Sequence, residues 1–430
     1  MPQGRDIPEY PGALARLPRR YTDPGVHAAT LDNVPALSFL DARSTVLRQV
    51  RQFAQAPQPE YVSLMEAAGR VLTSDVLADR DYPPFNRAMR DGFAVRSADI
   101  PGRLRVAGEI RAGQHSNAVL QPGEAIEIMT GASAPEGSDA VVMIEHTMRR
   151  DDGTVSTEES LAPGANIAAH GSEARAASPV LRAGMRLGFA EIGWLAATGH
   201  TQLAVARRPV VAILPTGDEI VDVGDMPEPH QIRNSNSWSL AAQVARAGGI
   251  PRRMPIAPDN LDGTRALIQT ALRDADLVLL SGGVSAGKYD VVEPALAELG
   301  AEFYFDRVLL QPGAPCVFGR IAGKFFFGLP GNPASTMVTF EIFARAALDL
   351  LSGAADAPLD ITLARLTEPF SHKAGFTRFL PAIIRCSEVT PVSWTGSGDI
   401  PAICRANGFL VADPATPSYA EGDLISVLMK

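Results

Sequence analysis

Three short apolar runs between Arg207 and Leu351 alternate with helix-patterned segments, and this alternation limits the fold more than any other feature of the sequence. The runs are PVVAILP, DLVLLSGG and KFFFGLPG. Strands that read as continuous apolar runs are covered on both faces. NSWSLAAQVARAGG and LDGTRALIQTALRDA supply helical patterns between the runs, and ASTMVTFEIFARAALDLL follows the third. Strand–helix alternation predicts a mostly parallel sheet covered by helices.

The flanking segments differ. FLDARSTVLRQVRQFAQ is read as a helix with Leu40, Val46, Leu47, Val50 and Phe53 near one face, and LMEAAGRVL as a second short helix. After Asp81, short alternating segments split by Gly and Pro (LRVAGEI, AIEIMTG, AVVMIEHT) predict a small β-rich unit. Strand-like segments return after Ala355 (ITLARL, TRFLPAIIR, GFLVADP, DLISVLM) and predict a small barrel or sandwich. The expected class is therefore multi-domain α/β plus β. The expected division is an N-terminal extension over 1–37, a scaffold or dimerisation unit over 38–80 and 166–206, a β-rich unit over 81–165, an α/β unit over 207–354 and a C-terminal barrel-like unit over 355–430. At 430 residues, several cores are expected.

The net charge of −9 is wrong for broad nucleic-acid binding. No apolar run reaches the roughly 20 residues of a membrane span. MPQGRDIPEYPGALARLPRR has no apolar core of a secretory signal. Three scattered cysteines suit neither a disulfide framework nor a zinc site. A cytoplasmic protein with reduced thiols is expected, binding neither nucleic acid nor membrane.

Ligands of open α/β sheets sit at the carboxyl ends of the strands. Three loops fall there: Thr216-Gly217-Asp218-Glu219, Ser281 to Gly287 (SGGVSAG), and Gly328 to Ser335 (GLPGNPAS). Glycines let backbone N–H groups approach an anion, and a helix start adds unpaired donors. Asp218, Glu219 and Asp290 stand beside these loops, as in sites for a divalent cation, most often Mg²⁺. Gly282 to Lys288 nearly spells a nucleotide P-loop, but Tyr289 stands where that motif needs Ser or Thr.

Seven segments, in order, resemble the molybdopterin molybdenumtransferase family, which includes the E domain of gephyrin. They are LMEAAGRVL, PPFNRAMRDGFAVRSA, EIMTGASAPEGSDAVV, TGDE, RNSN, DLVLLSGGVSAGKYD and FGLPGNPAS. The resemblance runs from about residue 40 to the last residue. It implies a central α/β domain of the molybdopterin-binding type and an elongated homodimer. It implies Mg²⁺-dependent insertion of molybdate into adenylylated molybdopterin with release of AMP. Contacts with a molybdopterin adenylyltransferase and with carriers serving downstream molybdoenzymes are implied as well.

Matched position by position, the resemblance implies catalytic roles for Asp91, Thr130, Glu219, Asp259 and Asp290, with Glu219 and Asp290 on the metal. It implies cofactor binding by Ser281, Gly282, Gly283, Val284 and Ser285, by Arg307, by Pro330, Gly331, Asn332 and Ser335, and by Ser397. Three positions depart from the family pattern. Arg90 abuts Asp91, Glu173 replaces an aspartate, and the family's two lysines before Pro-Gly are Arg307 and Gln311. Lys288 is a candidate to restore the charge missing at Gln311. The departures keep open an alternative, a non-catalytic molybdopterin-binding or scaffold paralogue. A related adenylyltransferase is a further alternative, against which the extra units before Arg207 and after Ala355 speak.

Overall fold

The computed structural model describes residues 36–114, 117–283 and 290–430. The expected N-terminal extension, apart from its last two residues, lies outside them, as do Val284, Ser285 and Lys288.

The alternating region forms a six-stranded sheet. Its strands, in spatial order, are Ile250–Arg253, Val210–Pro215, Leu277–Ser281, Lys324–Leu329, Val317–Ile321 and Glu302–Phe305. The first four run parallel and the last two pairings are antiparallel. The two central runs are buried on both faces because separate cores cover them. Leu277, Leu279, Phe325 and Phe327 face one core, and Val278, Leu280 and Phe326 face the other. The helices Leu261–Asp274 and Val292–Glu298 cover the second face. The first is covered by Asn236–Arg246 and by the long segment Pro333–Leu351, whose middle turn, Phe340–Ala344, is a π-helix.

The first core extends beyond this unit. Its aromatic centre contains Phe305, Phe318, Phe325, Phe327, Phe340 and Phe343, with Phe318 and Phe327 stacked at 4.6 Å between centroids. Phe39 of the helix Phe39–Phe53 packs edge-on against Phe379 of the C-terminal unit at 5.2 Å and lies 6.0 Å from Phe343. The buried face of that helix is Phe39, Ala42, Val46 and Val50, a spacing of three and four residues. Leu40 is 66% exposed, so the expected face is rotated by one position at its start. Arg43, also buried, donates to the carbonyls of Ile342 and Ala357.

The β-rich unit is a six-stranded sheet with Glu124–Ile128 and Gly102–Ile110 at its centre and Gly92–Val95 beside Glu124–Ile128. A further unit joins residues on either side of it: Pro59–Ser63 pairs with Gln202–Ala206, and Val76–Leu77 with Pro179–Leu181. Residues 64–72 are not the helix expected from LMEAAGRVL. They form tight turns and then isolated bridges, Val71 to Arg186 and Leu72 to Val205. Gly69, at φ +76°, breaks the helical run, and Leu72 is drawn into the core of this unit.

The C-terminal strands close into a small barrel. Thr377–Arg385, Glu388–Pro391, Ile361–Leu366, Leu424–Met429 and Gly408–Ala412 pair in turn, and Gly408–Ala412 returns to Thr377–Arg385. The short strand Leu310–Gln311 of the α/β region docks on the barrel in parallel register, with Gln311 opposite Arg378.

Phe343 is fully buried where the N-terminal helix and the α/β unit meet. Phe343→Ala should lower unfolding free energy by about 3–5 kcal/mol. Met226→Ala, at a side chain that is 85% exposed, should change it by about 0.5 kcal/mol or less. Urea unfolding followed by circular dichroism measures both.

Candidate anion site at the sheet edge

The Val210–Pro215, Leu277–Ser281 and Lys324–Leu329 strands end side by side, which brings their three following loops together. Backbone hydrogen bonds link the loops: Thr216 N donates to Ser281 O at 3.0 Å, and Gly282 N to Leu329 O at 3.1 Å. Gly282 has φ +95°, and a Cβ there would lie 2.7 Å from Thr216 O, so only glycine fits. Gly283 packs against the Thr216 hydroxyl in the same way. Gly331 approaches Gly282 closely, and a Cβ on Gly331 would lie 3.7 Å from the Gly282 Cα.

Asn236 fastens the second loop to the third. Its Nδ2 donates to Ser281 Oγ at 2.9 Å and to Gly331 O at 2.7 Å. Thr216 Oγ1 and Asn236 Oδ1 are both buried and lack a hydrogen-bond partner among the described residues. Sequence reasoning misses Asn236 as a site residue, although it ends the RNSN segment; reading that segment as a helix start hides its reach to another loop.

Of the expected binding residues, Ser281, Gly282, Gly283, Pro330, Gly331, Asn332 and Ser335 do meet at this edge. Ser335 is buried inside the turn, where its carbonyl accepts from Thr339 Oγ1. Ser397 arrives from the barrel: its carbonyl accepts from Ala334 N at 2.9 Å. Asp399 holds that loop, accepting from the N–H groups of Thr395 and Ala402, which keep its carboxyl below the ordinary carboxylate range.

Arg307 is exposed, and its carbonyl receives Leu37 N. Gln311 is exposed beside Arg378, whose Nε is buried without a partner among the described residues. Arg378 is a cation that sequence reasoning does not single out, because only strand register places it opposite Gln311.

The acidic residues sit at the first loop. The carboxylate of Glu219 folds over Gly217, where a Cβ would lie 2.5 Å from Glu219 Oε2. Asp218 and Asp259 accept each other's backbone N–H, at 3.0 and 3.3 Å. Asp290 is half-buried just ahead of the Val292–Glu298 helix. Among the described residues, no three His, Cys, Asp or Glu side chains gather as a metal cage. Hard carboxylate oxygens are still the donors Mg²⁺ takes, and it commonly uses one or two beside substrate phosphates.

Asp91 and Thr130 form a separate pair in the β-rich unit. Asp91 Oδ1 accepts from Thr130 N at 2.6 Å and from its hydroxyl at 2.7 Å. The two bonds, the backbone one first, hold the Asp91 carboxyl below its ordinary range. Glu173, one of the departing positions, forms an ion pair with Arg87 at 2.7 Å.

These features define a multi-domain α/β protein whose glycine-bearing sheet edge is capped by a small barrel. Family models match in three stretches: "MoeA N-terminal region (domain I and II)" over residues 37–199, "Probable molybdopterin binding domain" over 212–350, and "MoeA C-terminal region (domain IV)" over 363–430. A molybdopterin molybdenumtransferase of Bacillus subtilis is 34% identical over 89% of this chain and 92% of its own length. One of Staphylococcus aureus is 31% identical over 91% and 95%. A solved molybdopterin biosynthesis MoeA protein from Pyrococcus horikosii superposes with TM-score 0.66 at 30% identity, covering 92% of this chain and 99% of that one. The chain belongs to the molybdopterin molybdenumtransferase family.

Thr130→Val keeps the backbone donor to Asp91 and removes the hydroxyl. The Asp91 titration midpoint, read by carboxyl-carbon NMR, should rise towards the ordinary carboxylate range. Because the folded-state value is depressed, the stabilisation is present above the unfolded-state value and is lost as pH falls through the folded one. In the variant the total loss should be smaller and should be complete at a higher pH, while its onset, set by the unfolded-state value, stays where it was. An unmoved midpoint would show that the hydroxyl contributes nothing.

Proposed function

We propose that this chain is a molybdopterin molybdenumtransferase, inserting molybdate into adenylylated molybdopterin with release of AMP. The observation that carries the reading is the junction of three glycine-bearing loops at one sheet edge, tied by Asn236 and closed by the Ser397 loop. Names of relatives that match over most of both chains support the same activity.

In this reading, the backbone of Ser281 to Ser285 and of Pro330 to Ser335 cradles the phosphates. Arg307 and Arg378 supply positive charge from the rim, Arg378 taking the place of the lysine missing at Gln311. Glu219 and Asp290 hold Mg²⁺, which when bound neutralises phosphate charge. Asp259 positions the first loop through Asp218. Asp91, kept as a carboxylate by Thr130, orients substrate from the β-rich unit. Breaking a phosphoanhydride in this way depends on positioning and on stabilising charge that is already in place.

We also infer a cytoplasmic homodimer. Exposed Tyr61, Met65 and Phe189 on the unit that joins residues 59–77 to 179–206 support the dimer, since large exposed apolar side chains mark interaction surfaces. Contacts with a molybdopterin adenylyltransferase and with cofactor carriers belong to the same proposal. So does the division into five segments, with its scaffold over 38–80 and 166–206. A non-catalytic molybdopterin-binding paralogue is the second reading, and Gln311 in place of lysine is what favours it.

Incubation of the purified chain with adenylylated molybdopterin, molybdate and Mg²⁺ separates the two readings. The enzyme releases AMP only when molybdate is present, whereas the paralogue binds without release. Asp290→Asn removes one negative charge at nearly constant volume. It should cut Mg²⁺-dependent AMP release by about a hundredfold or more and leave the circular dichroism spectrum unchanged. Wild-type turnover in that variant would remove Asp290 from the metal site.

A further inference from the structure

The opposite edge of the same sheet carries a second charged cavity. It opens at the amino ends of the strands: Arg208 precedes the Val210–Pro215 strand, and Gly248 precedes Ile250–Arg253. The cavity has a volume of about 250 Å³ and lies between the α/β unit and the Gly69–Arg186 side of the neighbouring unit. Arg70, Arg186, Arg208, Arg246 and Arg345 all line it.

Carboxylates answer only part of this charge. Arg186 bonds Asp349 at 2.7 Å, Arg246 and Arg345 share Glu341 at 2.7 and 3.1 Å, and Arg70 pairs with Glu60. Five guanidinium groups thus face three carboxylates. Arg208 is exposed and has no carboxylate partner among the described residues. The carboxyl end of the Asn236–Arg246 helix adds roughly half a negative charge, which leaves the excess positive. Each guanidinium has five N–H donors, so many remain for a guest.

We propose that this cavity is a second anion site, distinct from the loops at the carboxyl edge, and that it binds a phosphate dianion. Guanidinium groups grip phosphate through paired charge-assisted hydrogen bonds. A volume below the roughly 300–1,000 Å³ of drug-sized sites suits a compact ion or a small phosphate ester. Inorganic phosphate and the phosphate of a nucleoside monophosphate share this chemistry. The inference does not depend on the transferase reading.

Hydrogen–deuterium exchange on the full chain localises the binding. Peptides spanning residues 66–72 and 243–250 should exchange more slowly in inorganic phosphate than in chloride of equal ionic strength. Arg208→Glu and the milder Arg208→Ala should raise the phosphate concentration for half-protection by roughly tenfold or more. Thermal unfolding should stay as in the wild type, since the side chain is exposed. Protection by AMP at lower concentration than by phosphate identifies an ester as the ligand; protection by phosphate alone identifies the free ion. Unchanged exchange in these peptides with both ligands, or equal protection in Arg208→Glu, overturns the proposal.

Discussion

The aromatic core around Phe318, Phe327 and Phe343 is the contact that holds the separate units in register. Phe39 and Val46 from the N-terminal helix enter it from one side, and Phe379 and Phe409 from the barrel enter from another. Burial of large aromatic side chains supplies the largest favourable energy available to a chain, and here it joins segments far apart in sequence. The barrel is held beside the sheet by this core and by the pairing of Leu310–Gln311 with Thr377–Arg378. That docking is what delivers the Ser397 carbonyl to the Ala334 N–H, so the geometry of the sheet edge rests on apolar packing behind it.

At the sheet edge, glycines and backbone hydrogen bonds shape the described residues of the loops. Glycines at Gly282 and Gly283 are needed because the Thr216 carbonyl and hydroxyl already occupy the space a side chain would take. Hydrogen bonds from Asn236 and between Thr216 and Ser281 tie the described residues of the loops to one another. A preorganised cradle loses little on binding, which is the condition under which fixed dipoles act strongly on a phosphate.

Two of the departures from the family pattern stand next to arginines. The longer acid at Glu173 reaches Arg87 and forms an ion pair with it, in an exposed setting where such pairs contribute about 1 kcal/mol or less. Gln311 has lost a charge, and Arg378 stands directly across the strand pair from it. Both neighbours come from across sequence gaps, 86 residues in the first case.

The parallel order of the central sheet was legible in the residues alone, because uninterrupted apolar runs have to be covered on both faces. So was the meeting of the three glycine-bearing loop starts, because segments that follow adjacent parallel strands fall at one edge. The strands after Ala355 could be read from their strand-like pattern, and their closure is the barrel-like form expected of that unit. Other features depend on contacts that form only on folding. Leu40 points to solvent because docking onto Phe343 and Phe379 rotated the helix by one position, and periodicity cannot see a partner. Residues 64–72 became turns and bridges because pairing with Arg186 and Val205 outweighed local helix propensity. Asn236 and the Ser397 carbonyl reach the loops, and Arg378 reaches Gln311, through pairings and packing between distant segments. No local pattern records those contacts, since their energy exists only once the separate cores have met.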